Sequence, residues 1–566
     1  MRNLVAVGIL GGLALAGSKQ TSSCKCLPGD SCWPSASQWQ KLNTSANGNL
    51  LAVRPAGSVC YQTFNGQPNP QYNADACATA KNGWTVSNWI VEQQIETISH
   101  FWTNYTCDPT MGCNKPCDLS SVPQMVIMAK SASDIQAGVK FARDNNLRLV
   151  IRNTGHCYLG RSAGYGALAI NTHSLQSMDF TSSYKGPGSW SGGAVKLGAG
   201  VDVVGGECPS VGIAGGYIQG GGHSPLSGLY GMGSDNALSF EIVLATGELV
   251  TANAYSNSDL FWALKGGGMG TYGVVTSVTV KTHPRVFVTG MSLNISILGV
   301  TDPAAIDRYW SAVNVFHNYA PKLAASGMYV WYGLVPFVGL IVQPFVAPNM
   351  TVAQFEAVVA PLRAQLNALN VTYATGTPTQ FDSFYDLYMS MFSFIDDVGG
   401  DTLLGGRLFK TSDIEQHGAN ITAAYRGLIN AGVIIGGHIV NPGRAVPDPD
   451  SEISSVHPVW RDTPDNMLWL YDTGATCLTP AGRQAAFGTN TQLGNPMRAA
   501  SPDSAVYVNE GDVNEPNWQD AFWGSNYPAL YKIKTKYDPN GVFWAQSTPG
   551  SERWTLKDER RLCKAT

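Results

Sequence analysis

Only 13% of the 566 residues carry a charged side chain, and the formal net charge is -4. With no excess of Lys and Arg, the chain lacks the electrostatic footprint of a nucleic-acid binder. It also lacks a polybasic patch to hold it on an anionic membrane. Past the first residues, no apolar stretch approaches the roughly 20 residues that a spanning helix needs, so neither nucleic acid nor membrane is expected as a partner. Short-period repeats and low-complexity tracts are absent too. What remains is an ordinary globular balance, 44% hydrophobic, in a chain long enough for two large domains or one domain with a substantial insert. Gly is abundant, at 62 residues, and much of it clusters between Gly198 and Gly273.

The N-terminus indicates a destination. Arg2 precedes an apolar run from Leu4 to Leu15, followed by small residues through Ser18. That layout predicts a signal peptide over residues 1–18, too short to serve as an anchor helix. Six N-x-S/T sequons, at Asn43, Asn104, Asn294, Asn349, Asn370 and Asn420, fit a secreted, N-glycosylated protein. Of the 12 cysteines, eight fall between Cys24 and Cys117. Thiols clustered behind a signal peptide read as disulfides of open connectivity. No His pair accompanies them, so no metal site is expected. Cys477 and Cys563 are a candidate pair, whereas Cys157 and Cys208 stand apart in glycine-rich surroundings.

Residues 19–117 form a cysteine-rich segment with little periodicity. The pattern then changes. A buried strand is predicted over 123–128, a helix from a cap at Ser131 to Asn145, and a second strand over 147–151. Further strands are expected at 240–244 and 274–280, and an amphipathic helix around 353–369.

The loop after the second strand reads Arg152-Asn153-Thr154-Gly155-His156-Cys157-Tyr158-Leu159-Gly160-Arg161-Ser162. Gly155 and Gly160 allow backbone amides to approach a pyrophosphate, Ser162 adds a hydroxyl, and Arg152 or Arg161 can offset phosphate charge. It is neither a P-loop nor a G-x-G-x-x-G turn. Alone, a glycine loop with one histidine is a weak signal.

That loop resembles the pyrophosphate loop of the vanillyl-alcohol-oxidase superfamily of FAD enzymes, closest to the branch of berberine bridge enzymes and fungal carbohydrate and alcohol oxidases. Four further stretches carry the likeness, which covers roughly residues 118–550. They are Gly205-Gly-Glu-Cys208-Pro-Ser-Val-Gly212, the glycine-rich Gly215, Gly216, Gly220, Gly221, Gly222 and His223, the segment Asp259–Val275, and Tyr507-Val-Asn509 through Asn526 and Tyr527. The resemblance implies FAD bound covalently through His156 and also Cys208. His156 and Cys208 lie 52 positions apart, which is short for the branch.

It also implies an α+β architecture: a two-part FAD-binding domain (118–285 and 501–550), an inserted α/β substrate domain at 286–500 with an antiparallel sheet covered by helices, and a tail at 551–566. A monomer is expected. Relatives often place a tyrosine base after the asparagine equivalent to Asn509; here Glu510 stands there. A carboxylate facing an apolar ring would have a raised pKa, which makes Glu510 a candidate base, with Tyr507 and Tyr527 as alternatives. His438, His457 and Arg461 are candidates to line or support the substrate side. The implied activity is oxidation of an alcohol or specialised metabolite, a small-molecule substrate, with dioxygen as acceptor. A carbohydrate oxidase and an inactive ligand-binding glycoprotein are the alternatives.

Overall fold

The computed structural model describes residues 23–110, 115–186, 188–202, 205–392, 400–446, 454–474 and 478–565. The expected signal peptide, Cys113 and Cys477 lie outside these residues.

The first sheet is short and mixed. Its order is Leu50–Ala52, Met125–Met128, Leu168–Asn171, Leu149–Arg152, and the last three strands run parallel. The helix Ala132–Asp144 connects the two predicted strands and opens with a capping box: the Ser131 hydroxyl accepts from the Asp134 amide, and the Asp134 carboxylate accepts from Ser131 N. This cap satisfies amides that an uncapped helix start leaves bare. The two strands are not neighbours, because Leu168–Asn171 lies between them. Leu50–Ala52 comes from the cysteine-rich segment and pairs antiparallel with Met125–Met128.

A second, fully antiparallel sheet runs Leu249–Asn253, Ala237–Val243, Val274–Lys281, Ala194–Gly198, Met178–Thr181. Among the described residues between 288 and 472, eight antiparallel strands build the third sheet. Side chains on successive residues of a strand face opposite ways, and that alternation divides two cores. Val330 and Phe409 pack with Phe316, Phe355 and Tyr425 from the covering helices Pro303–Asn318, Val352–Ala368 and Thr411–Asn430. Their neighbours Tyr329 and Leu408 face the other way, into a core with Phe240, Val278, Tyr507 and Trp523. The segment from Ala505 to Ile533 thus packs in the same core as the second sheet, while Phe543 bridges to Leu149 of the first.

Among the described residues, four disulfides join Cys24–Cys563, Cys26–Cys32, Cys60–Cys77 and Cys107–Cys117. The expected Cys477–Cys563 pair is therefore corrected. Cys563 sits on the hairpin Trp554–Lys557/Arg561–Lys564 and forms a bridge with Cys24. Arg561 also forms a bidentate pair with Asp30. The expected tail is a hairpin stapled to the start of the described chain. Among the described residues no helix is long and apolar enough to cross a membrane.

Candidate active site

A long cavity, with about 1550 Å³ of open space including its mouth, runs between the first two sheets. One end is lined by Leu149, Val275 and Phe543, the other by His156, Cys208, His223 and Glu510. The turn that carries His156 is fixed from behind. Arg152, fully buried, donates to the carbonyl oxygens of Ile90 at 2.7 Å, Val91 at 2.8 Å and Glu96 at 3.1 Å. Gly155 has φ of +83° and passes so close to Glu96 that a Cβ would meet its carbonyl oxygen at 2.6 Å. Only glycine meets both demands.

His156 Nε2 lies 2.8 Å from Ser210 Oγ, which places the segment holding Cys208 directly beside it. The segment that carries Cys208 is closed by pairing at its ends: Asp202 bridges Gly212, and Ile213 N donates to Val201 O. Opposite, the side-chain donor and acceptor atoms of His223, His438 and Glu510 fall within 4.8 Å of one another. Glu510 Oε1 is 3.1 Å from His223 Nε2, and its Oε2 accepts from Asn466 Nδ2 at 2.9 Å. His438 Nε2 contacts Glu207 at 3.3 Å.

Residues 123–253 match the FAD binding domain family, and residues 506–548 match the berberine and berberine like family. The FAD-linked oxidoreductase ZEB1 of Gibberella zeae is 36% identical over 590 residues, 98% of each chain. A VAO-type flavoprotein of Myceliophthora thermophila, solved by crystallography at pH 5.0, superposes with a TM-score of 0.86 at 34% identity, over 96% of this chain and 100% of that one. The chain belongs to the berberine bridge enzyme-like, VAO-type family of FAD-linked oxidoreductases. A carbohydrate oxidase from Microdochium nivale shares the fold alone, with a TM-score of 0.61 and 19% identity over 76% of this chain and 92% of that one.

The residues that line the cavity of this FAD-linked oxidoreductase suit a dinucleotide in their chemistry, with a glycine-rich wall and unpaired polar atoms. Glycines line its floor, where a Cβ on Gly212 would meet Asn153 Nδ2 at 2.1 Å, and one on Gly215 would meet it at 3.0 Å. Two cavity-lining residues also hold buried polar atoms with no partner in the protein, Asn153 Oδ1 and His223 Nδ1. Buried polar groups are rarely left unpaired.

The histidine–carboxylate cluster corrects the expectation of a raised Glu510 pKa. Burial alone would raise it, but His223 and His438, with hydrogen bonds from His223 and Asn466, lower it to about 2. Burial opposes charge on His438, yet Glu207, with Glu510 and Asp465, raises its pKa to about 9. Because the ordinary value is 6.5, the charged His438 adds stability that is complete below about pH 6.5 and lost as pH rises through about 9. The gap in melting temperature between wild type and His438→Gln should therefore be wide below pH 6.5 and close above about pH 9. A gap that stays constant across that range would show that His438 contributes packing rather than charge.

Of the residues expected at the site, Asn153, Thr154, Gly155, His156, Arg161, Ser162, Cys208, Gly215, Gly216, Val275, Tyr507 and Glu510 line the cavity. Others do not. Arg152 is turned onto carbonyls, as described. Gly160 takes the face of Trp102, and Gly220 packs on Asn509, whose Nδ2 donates to Gly216 O at 2.9 Å. Gly221 and Gly222 have positive φ and abut Met232 and Tyr217. Asn526 donates to Val456 O at 2.8 Å, and the Tyr527 hydroxyl donates to Glu552 at 2.6 Å, both away from the cavity walls. His457 accepts from Val459 N in its own short helix, and Arg461 pairs with buried Asp235 at 2.7 and 2.8 Å. Tyr507 lies inside, its oxygen accepting from Gly222 N and Asn509 Nδ2.

Sequence reasoning missed Glu207, Ser210, Tyr158, Tyr217 and Asn466 and gave His223 no role. Glu207 stood beside the tether cysteine and His223 closed the glycine turn, so both had a local signal. Asn466, in a strand without a motif, had none.

Proposed function

We propose that this FAD-linked oxidoreductase oxidises the alcohol carbon of a small organic molecule, a specialised metabolite, with dioxygen as electron acceptor, and that it works as a secreted, N-glycosylated protein. FAD, when bound, supplies the hydride acceptor. In this reading the turn Asn153–His156 and Ser162 hold the diphosphate by backbone amides and a hydroxyl, and His156 and Cys208 tether the ring. Residues 118–285 and 501–550 carry the cofactor, and the insert at 286–500 closes over the substrate. The supporting observation is that one cavity gathers His156, Cys208 and a hydrogen-bonded imidazole–carboxylate pair.

That pair shifts the proposed base from Glu510 to His223. A carboxylate with a pKa of about 2 takes up little proton at neutral pH. It does orient an imidazole through one ring nitrogen, leaving the other to accept the hydroxyl proton. His223 Nδ1 is the nitrogen without a partner. Tyr158, Tyr217 and Tyr507 wall this end, which suits an apolar or aromatic alcohol better than a sugar.

The test is a panel of aromatic alcohols, aliphatic alcohols and oligosaccharides, read as bleaching of the yellow protein without oxygen and as peroxide in air. Bleaching by alcohols with peroxide release is expected. Turnover of oligosaccharides alone would favour the carbohydrate reading, and no bleaching by any member would favour a ligand-binding protein.

A further inference from the structure

A second cleft, with about 2000 Å³ of open space including its mouth, lies behind the His156 loop. It shares Val150, Arg161, Trp544 and Ala545 with the cofactor cavity as a common wall. At its base sits Arg148, only 7% exposed. Its charge is unmet. Among the described residues it forms no ion pair, its Nε has no hydrogen-bond partner, and its one polar contact is Nη2 to Ala163 O at a long 3.4 Å. The contrast with Arg152, four positions along the same strand segment, is clear: that guanidinium meets four carbonyl oxygens. Uncompensated buried charge is among the costliest features a fold can hold.

Arg148 is boxed in rather than free to swing into water. The Trp544 ring covers it at 5.4 Å, and Gly164 lies so close that a Cβ there would meet the guanidinium carbon at 2.6 Å. Of the other three arginines on the cleft, Arg483 already pairs with Glu559, Arg161 donates to the carbonyl oxygens of Val508, Gln546 and Ser547, and Arg560 is exposed and lies over the Tyr165 ring. The remaining walls include the indoles of Trp102, Trp518 and Trp554 and four carboxylates: Glu515 pairs with Arg498, Glu559 with Arg483, Glu552 accepts from Tyr527, and Asp558 is exposed. A forked cation set among flat apolar rings matches a carboxylate carried on a flat apolar body.

We infer that this cleft is a second ligand site, which takes an aromatic or similarly flat monocarboxylate through Arg148. It is separate from the oxidation site, and its wall is the loop that carries His156.

Sodium benzoate is the probe, with sodium phosphate and sodium chloride at equal ionic strength as comparison arms. Titrated into the flavin-loaded protein, benzoate should quench tryptophan fluorescence saturably and raise the melting temperature, while the flavin absorbance stays unchanged. In Arg148→Met the dissociation constant should rise at least about tenfold, the loss expected for one charge-assisted hydrogen bond. Arg148→Lys, which keeps the charge, should lie between. Four results would overturn the inference: no saturable effect of benzoate on the wild type, equal effects of phosphate and benzoate, a perturbed flavin spectrum marking the oxidation cavity as the binding place, or undiminished binding in Arg148→Met. If Arg148→Met does not fold, the wild-type arms and Arg148→Lys decide the matter.

Discussion

Unfolded in denaturant and stripped of small molecules, the wild-type protein is expected to stay yellow, and the double variant His156→Ala/Cys208→Ala to lose all of its colour. The two tethers are not equivalent. His156 is neutral at physiological pH, because burial and then the nearby Arg152 lower its pKa to about 4. A neutral imidazole has the free electron pair that bond formation needs, and the Ser210 hydroxyl holds its Nε2. Cys208 is less favoured. A thiol must deprotonate to attack, and thiolates are promoted by neighbouring positive charge; here the preceding residue is Glu207, and Glu510 lines the same end of the cavity. Cys208→Ala alone should therefore keep its flavin through His156, whereas His156→Ala should retain it weakly or not at all. Absorbance of the denatured chain after gel filtration, with the flavin-bearing peptide located by mass, decides between them. Complete release of flavin from the denatured wild type would remove covalent attachment from the reading altogether.

What was legible in the sequence was local. The strand before the His156 loop, the cap at Ser131 and the glycine loop each depend on residues a few positions apart, and the structure contains all three close to their expected places. Strand order was not legible, because a parallel strand such as Leu168–Asn171 carries no mark of which neighbour it joins. The same limit explains the error over Glu510. Its environment is set by His223, 287 positions away, and by Asn466, 44 positions away on the third sheet. Nothing beside Glu510 in the chain announces either partner; the guides were its place after Asn509 and the expectation of an apolar ring facing it, and burial does push its pKa upward. The positive partners reverse that push. Cys563 shows the same effect: it stood with Cys477 as the cysteines outside the cluster and the glycine-rich loops, while the fold brings Cys24 to it from a separation of 539 residues.

The reversal at Glu510 yields the sharpest kinetic expectation. If His223 removes the hydroxyl proton, His223→Gln should slow flavin reduction by about a hundredfold to ten-thousandfold, the usual worth of general-base assistance. Glu510→Gln should cost less. The amide oxygen can still accept from His223 Nε2, so orientation survives in part, but the negative charge that steadies a protonated imidazole is gone. One charge-assisted hydrogen bond corresponds to roughly ten- to hundredfold in rate.

The pH profile separates the two roles. Glu510 with a pKa of about 2 stays ionised throughout the working range, so the acidic limb of the wild-type rate belongs to the imidazole. Removing the carboxylate should leave that limb in place, while His223→Gln should abolish it. Both variants should keep full flavin content, since the tethers lie on other residues. Were Glu510 itself the base, Glu510→Gln would be the slower variant and would lose the limb entirely. Stopped-flow reduction of both variants without oxygen, across the pH range of the wild type, distinguishes the two orders directly.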